Sequence, residues 1–326
     1  MNRVSLCTAA LILGQLTPIA ASASASAPEL RSVEPVKGQG VLHYYESDDA
    51  QSAGKVPTAA VIAIHGHPRD ALRTFQATAT AVKGTDTLVV APLFQVDERH
   101  SDRCVSAGEP LAEPGDLLWT CSSWIAGEPA NNAPGVSAFN ALDAVVAQVH
   151  EQFPSVKTIT VAGFSAGAQM VQHAIAFAAP APTGVTLRYV VADPGTWLYF
   201  DTWRASATTG CADFNQWKYG LDGLPAWLKK TPEQARERYA TADIRYLEGE
   251  LDSSNAKGTF YPILDKSCAA MAQGPYRLQR GQAYQTYERE QLKPNKPRPL
   301  AIVPGCAHEV TCVFPSAEGR AALLGQ

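Results

Sequence analysis

Residues Thr158-Ile-Thr-Val-Ala-Gly-Phe-Ser-Ala-Gly167 decide the fold. An apolar, β-branched run leads straight into Gly163-Phe164-Ser165-Ala166-Gly167, and residues 168–178 then read as a helix. This is G-x-S-x-G between a strand and a helix, the context in which the motif carries meaning. A chain that passes from strand to helix within two residues strains the residue in the middle, so its neighbours must lack bulk. Gly163 and Gly167 meet that requirement. The Ser165 hydroxyl then stands at the mouth of a sheet, above a helix N-terminus whose free N–H groups favour developing negative charge.

The rest of the chain repeats the same alternation. Residues 58–64 contain the unbroken apolar run AAVIAI, the pattern of a central parallel strand. Residues 87–91, 187–192, 244–248 and 300–303 read as further strands, and 41–45 as an opening one. Helices are expected at 70–82, along the stripe Phe139, Leu142, Val145, Val146, Val149 and Phe153, within 261–291, and at 316–324. The prediction is an α/β fold with a mostly parallel central sheet covered by helices on both faces. Residues 97–134 lack periodicity, and loops that long inside a domain are usually functional.

Residues 194–241 interrupt the alternation and hold four of the six tryptophans, Trp197, Trp203, Trp217 and Trp227. An insertion after a strand's C-terminal end is expected above the sheet, where ligands of such folds bind. It is read as an aromatic-rich lid, with Trp197 and Trp203 as substrate-contacting candidates. The competing reading makes these rings the insertion's own small core.

With 46% apolar and 18% charged residues in 326, the chain is globular and can form one large domain over 28–326. A net charge of −4 offers no electrostatic case for nucleic acid or an anionic membrane surface. Residues 1–25 read as a signal peptide, with Arg3 before an apolar run and overlapping A-x-A sites in 21–27. Gln15, Thr17 and Pro18 interrupt that run, which argues against stable membrane insertion. The mature protein is thus expected outside the cytoplasm, secreted or periplasmic. Cys104, Cys121, Cys211, Cys268, Cys306 and Cys312 remain after cleavage, an even set that suggests disulfides in an oxidising compartment. Local spacing favours Cys104–Cys121 and Cys306–Cys312, which leaves Cys211–Cys268. No spacing suggests a structural zinc site.

A serine hydroxyl is a poor nucleophile until a base takes its proton. With this elbow the partners follow in the chain order serine, acid, histidine. His308 is the histidine that follows Ser165 at a strand's C-terminal end, whereas His150 and His173 fall on helices. Asp252 lies just past the strand at 244–248 and before the turn residues Ser253, Ser254 and Asn255. Asp193, Glu248 and Glu250 compete with it. On the other flank, the strand at 58–64 ends in His65-Gly66-His67-Pro68. Gly66 lets backbone approach a substrate, and the His67 N–H can face an oxyanion beside that of Ala166.

In this order and context His65-Gly66-His67-Pro68, Gly163-Phe-Ser-Ala-Gly167, Gly249-Glu-Leu-Asp252 and Gly305-Cys-Ala-His308 resemble the α/β-hydrolase superfamily over residues 58–326, less 194–241. The chain is similar to exported bacterial esterase-like members. The resemblance implies a triad of Ser165, His308 and Asp252 working through an acyl-enzyme, with no cofactor and no metal. It implies a small-molecule or polymeric carboxylic ester as substrate, with amides or peptides as the alternative. Cys306 and Cys312, which bracket His308, depart from the pattern, and a disulfide there would pin the histidine loop. Two other classes compete. His65-Gly-His67-Pro-Arg-Asp70 superficially resembles the H-x-H-x-D-H zinc motif of metallohydrolases, with Asp70 displaced by one residue and the last histidine missing. A non-catalytic binding protein could also occupy a hydrolase scaffold.

Overall fold

Alternate residues of the central strands are buried on opposite faces of one sheet, which is why these segments read as unbroken apolar runs. The computed structural model describes residues 28–47, 56–97 and 104–326, together with Met1 and Arg99. The expected signal peptide lies outside the described residues apart from Met1. The strands are β1 (Glu29–Val33), β2 (Leu42–Glu46), β3 (Ala59–Ile64), β4 (Thr87–Leu93), β5 (Pro129–Ala130), β6 (Ala133–Ser137), β7 (Thr158–Phe164), β8 (Thr186–Ala192), β9 (Ile244–Gly249) and β10 (Leu300–Val303). Eight of them form one sheet in the order β1-β2-β4-β3-β7-β8-β9-β10, while β5 and β6 pair separately. The pairs β1/β2 and β2/β4 are antiparallel, and every pair from β4/β3 to β9/β10 is parallel.

The helices are α1 (Ala71–Val82), α2 (Ala138–Gln152), α3 (Ala166–Phe177), α4 (Pro232–Thr241), α5 (Cys268–Met271), α6 (Arg277–Tyr287), α7 (Val310–Val313) and α8 (Ala317–Leu324). Ala60, Ile62 and Ile64 of β3 face a core shared with α2 and α3, through Val145, Val149, Val171 and Ile175. Val61 and Ala63 face the opposite core, with Phe75 of α1, Val313 of α7 and Leu323 of α8. A mostly parallel sheet with helices on both faces is therefore what the chain forms. Parallel strands require crossovers, and the expected helices supply them.

One expectation needs correction. The segment 194–241 is not a separate aromatic unit. Trp197 and Tyr199 are 0% exposed and belong to the same core as α2 and α3, stacked among Tyr246, Tyr284 and Tyr287. Its C-terminal end is α4, the crossover helix that leads into β9. That helix carried a readable signal, because Thr231 and Gln234 form a reciprocal capping box with Pro232 at the first turn. The segment 261–291 is largely helical as expected, built from a short 3-10 turn (Tyr261–Ile263), α5, α6 and a π turn (Glu288–Leu292).

Cys104–Cys121 and Cys306–Cys312 pair as spacing favoured and Cys211–Cys268 is the remaining pair, with Cα atoms 5.7, 5.8 and 5.7 Å apart respectively. No described helix is long and apolar enough to cross a membrane.

Candidate active site

Ser165 sits between β7 and α3 at φ +58°, ψ −118°. Such a conformation costs a non-glycine residue roughly 1–3 kcal/mol and persists only where the surroundings enforce it. The enforcement is visible. Ser165 N–H donates to Ala192 O at 2.9 Å, and Gln169 N–H donates to Ser165 O at 3.1 Å. A Cβ on Gly163 would strike the backbone of Gly167, and one on Gly167 would strike the carbonyls of Ile64 and His65. The two glycines are thus required by contact between backbones, in addition to the turn itself.

The hydroxyl meets two residues from far along the chain. His308 Nε2 lies 2.8 Å from Ser165 Oγ, and His308 Nδ1 lies 2.8 Å from Asp252 Oδ2. His308 is 6% exposed and Asp252 1%. The imidazole is flanked by the rings of Phe164 and Phe260, at centroid distances of 4.8 and 6.1 Å. Burial, then the nearby Arg277 guanidinium, pushes the imidazole down to about 4, with the Asp252 carboxylate pulling the other way. The neutral ring is the form that accepts a proton from a hydroxyl.

Three of the four candidate acids, Asp252, Asp193 and Glu250, have distinct hydrogen-bond partners. Asp252 faces His308. Asp193 Oδ1 accepts from Gly249 N–H at 2.7 Å. Asp193 still lies close, since single ligand atoms of Asp193, Asp252 and His308 fall within 4.8 Å of one another. Its carboxyl is raised to about 7, first by burial and then by the charge of Asp252. Glu250 Oε2 accepts from Gly305 N–H at 2.8 Å and braces the histidine loop. Glu248 is 0% exposed, and burial followed by the charge of Asp193 raises it well above the carboxylate range.

Arg277 was not singled out by its sequence context, yet it holds the acid. Its Nη1 donates to Asp252 Oδ1 at 3.3 Å and to Thr259 O at 2.6 Å, and the side chain is 3% exposed. One guanidinium thus ties the carboxylate of Asp252 to the backbone of the turn at 259. Gly249 also matters at this point. A Cβ there would meet the carbonyl oxygens of Cys306 and Ala307 at 2.7 and 2.8 Å, so only glycine lets the His308 loop approach β9. The Cys306–Cys312 disulfide closes that loop.

On the opposite flank, the turn after β3 is rigid. Gly66 N–H donates to Asp70 Oδ1 at 3.0 Å, and Arg69 N–H donates to Gly66 O at 3.1 Å. His65 Nδ1 donates to Gly66 O at 2.8 Å, while its Nε2 accepts from Phe94 N–H at 3.2 Å. Burial pushes His65 down to about 3, so it is a neutral structural pin. Both of its nitrogens are engaged by backbone, which leaves no lone pair for a metal and speaks against the zinc reading. Gly66, His67 and Ser165 line one cleft. Ala166 opens α3, where the first N–H groups have no intrahelical acceptor.

That cleft has a volume of about 750 Å³. Its walls come from residues 66–76, 106–109, 260–263 and 308–311, with Phe164 and Ser165 at the base. The loop at 97–134 thus contributes one wall, through Ser106, Ala107 and Glu109. Glu109 is held by Leu72 N–H at 2.7 Å and Tyr45 Oη at 3.1 Å. No residue of 194–241 lines the cleft, which corrects the expectation of a substrate-contacting lid. Trp197 is in the core, stacked on Tyr284 at 4.4 Å, and the partly buried Trp203 packs on Tyr199 and Tyr287. Large rings were available to close the core between α3, α6 and β9, and burial there outweighs exposure at a cleft. Lys218 brings the segment near the site, since its charge, after burial, holds the His67 imidazole below its ordinary range.

The architecture and the strand–serine–helix turn are those of the α/β-hydrolase fold. Two solved structures share it across most of the chain. One is the poly(3-hydroxybutyrate) depolymerase LpqC of Bordetella parapertussis, with a TM-score of 0.63 and 18% identity over 92% of this chain and 91% of that one. The other is poly(aspartic acid) hydrolase-1 of Sphingomonas sp. KT-1, with a TM-score of 0.60 and 19% identity over 87% of this chain and 95% of that one. No family model and no curated protein matches the sequence.

Proposed function

We propose that the chain is an exported serine hydrolase that cleaves carboxylic esters through an acyl-enzyme. The observation that carries the reading is the unbroken chain of contacts from Ser165 Oγ to His308 Nε2 and from His308 Nδ1 to Asp252 Oδ2, each 2.8 Å. In this reading Ser165 Oγ attacks the ester carbonyl as His308 Nε2 takes its proton. The carbonyl π pair moves onto oxygen, which the N–H groups of Ala166 and His67 stabilise. The intermediate collapses when His308 returns the proton to the alcohol oxygen, and the C–O bond to the alcohol breaks. Water, activated by the same histidine, then releases the acid. Asp252 holds the tautomer that keeps Nε2 available, and Arg277 holds Asp252 in place through its hydrogen bond to Oδ1. Three disulfides support an oxidising compartment, consistent with export through the segment 1–25. The named activities of the two structural relatives are hydrolytic and support the hydrolase class.

The test is a panel of p-nitrophenyl esters of increasing chain length, beside a p-nitroanilide, assayed with the wild type and Ser165→Ala. Ester turnover that disappears in the variant supports the reading. Faster turnover of the anilide than of its matched ester would replace it with an amidase. Turnover of neither would leave a binding protein on a hydrolase scaffold.

A further inference from the structure

The cleft carries an apolar shelf that the triad chemistry does not use. Phe260 is 53% exposed and Ile263 64% exposed, and one turn places both on the cleft wall. Large apolar side chains grouped in water beside a site mark a contact surface, whereas scattered ones do not. The cleft's charges are already engaged. Arg73 pairs with Glu309 at 2.7 Å, Glu109 accepts from Leu72 and Tyr45, and Asp70 accepts from Gly66. An apolar group entering beside the shelf therefore displaces water without stripping a partner from those side chains.

The shelf is also preorganised with the triad. Thr259 O accepts from the same Arg277 that holds Asp252, and Gly258 O accepts from His308 N–H at 3.2 Å. Lys266 Nζ donates to the carbonyls of Tyr261, Pro262 and Leu264 at 3.1, 2.8 and 3.1 Å. Phe260 itself sits at φ +49°, a backbone state held by this network. The two exposed rims of side chain thus ride on a turn bonded to the base and, through one arginine, to the acid.

The proton path says which half of a substrate meets them. His308 returns the serine proton to the leaving oxygen, so the alcohol half departs over the imidazole. The oxyanion lies on the other side, toward His67 and Ala166. The Phe260 ring stands edge-on to the imidazole, 6.1 Å away at 67°. Resting on the ester hydrolysis proposed above, we infer that Phe260 and Ile263 form the subsite for the alcohol half, selecting esters of aryl or longer alkyl alcohols.

Two ester series separate this from the alternatives. The first is acetate esterified with methyl, butyl, octyl and benzyl alcohols. The second is methyl esters of acetic, butyric, octanoic and phenylacetic acids. kcat/KM reports acylation, the step in which the alcohol leaves. In the double variant Phe260→Ser, Ile263→Ser, the ratio of kcat/KM for octyl or benzyl acetate to that for methyl acetate should fall about 10- to 100-fold. The ratio for methyl octanoate to methyl acetate should change less than about 3-fold. The apolar double variant Phe260→Leu, Ile263→Leu should recover most of the first ratio. Loss confined to the acyl series, or equal in both, overturns the inference while ester hydrolysis stands. If the wild type sediments as a dimer, the serine variant as a monomer, and both ratios hold, the shelf is a contact between copies and the inference fails. If the wild type cleaves no ester in either series, the parent reading fails and this one with it.

Discussion

Asp252 Oδ2 and His308 Nδ1 lie 2.8 Å apart across 56 residues of sequence, while Asp193, buried close by, engages the backbone of Gly249 instead. The difference between the two acids lies in their company. Arg277 donates to Asp252, whereas burial and the neighbouring charge of Asp252 favour a proton on Asp193. An ionised acid can stabilise the imidazolium that forms during proton transfer, and a protonated one cannot.

Ser165→Ala should abolish ester turnover, with a loss on the order of 10³-fold or more. Alanine meets the same backbone cost as serine at φ +58°, so the melting temperature should stay close to wild type. Gly163→Ala and Gly167→Ala should behave differently, because their new methyl groups meet backbone. Soluble yield and far-UV circular dichroism distinguish the cases: both glycine variants should fail to fold, and a well-folded Gly167→Ala would count against the turn described above.

Asp252→Asn should lower kcat by up to about 10⁴-fold, since asparagine favours the wrong imidazole tautomer. Asp193→Asn keeps an acceptor for Gly249 N–H and should cost far less activity. It should also raise thermal stability. The folded pKa of Asp193, about 7, lies above its ordinary 3.8, so its contribution is fully present below about pH 4 and is lost as pH rises through 7. The gain in melting temperature for Asp193→Asn should therefore be greater at pH 8 than at pH 5. An equal or reversed gain would refute the protonated state of this acid.

The acid limb of kcat/KM should lie below pH 6.5. Turnover needs neutral His308, and burial with Arg277 lowers its proton affinity from the ordinary 6.5 to about 4. As pH falls, activity is lost only when the folded-state value is reached, so substantial activity should remain at pH 5.5. Arg277→Gln should move the limb upward, because it removes a cation from both His308 and Asp252. A wild-type midpoint at or above 6.5, measured on a substrate whose own ionisation is constant, would contradict the buried, cation-flanked imidazole.

Replacing Cys306 and Cys312 together by alanine should lower kcat about 10-fold with little change in KM, since the loop positions the base rather than the substrate. Stability should fall by roughly 2–3 kcal/mol, as expected for a short closed loop. Steady-state kinetics and denaturant titration check the two effects separately. A variant with full kcat and lowered stability alone would make this disulfide structural only.

The parallel sheet, the serine turn and the Cys104–Cys121 and Cys306–Cys312 pairings were legible in sequence because each rests on local rules, and Cys211–Cys268 followed only as the remaining pair. Unbroken apolar runs such as AAVIAI at 59–64 define strands buried on both faces, and paired glycines around Ser165 define a turn that bulkier residues cannot make. The order of serine, acid and histidine then narrowed the partners to Asp252 and His308, with Asp193 still in contention. Which acid meets His308 is visible only in the tertiary structure, because that contact depends on how β9, the histidine loop and Arg277 of α6, 25 residues beyond Asp252, pack together. The same holds for Trp197. A tryptophan four residues past a strand end suits a cleft or a core equally, and no periodicity decides between them. The decision lies in which neighbours can exclude water from the ring, and Tyr246, Tyr284 and Tyr287 come from β9 and α6, segments that meet it only in the folded chain.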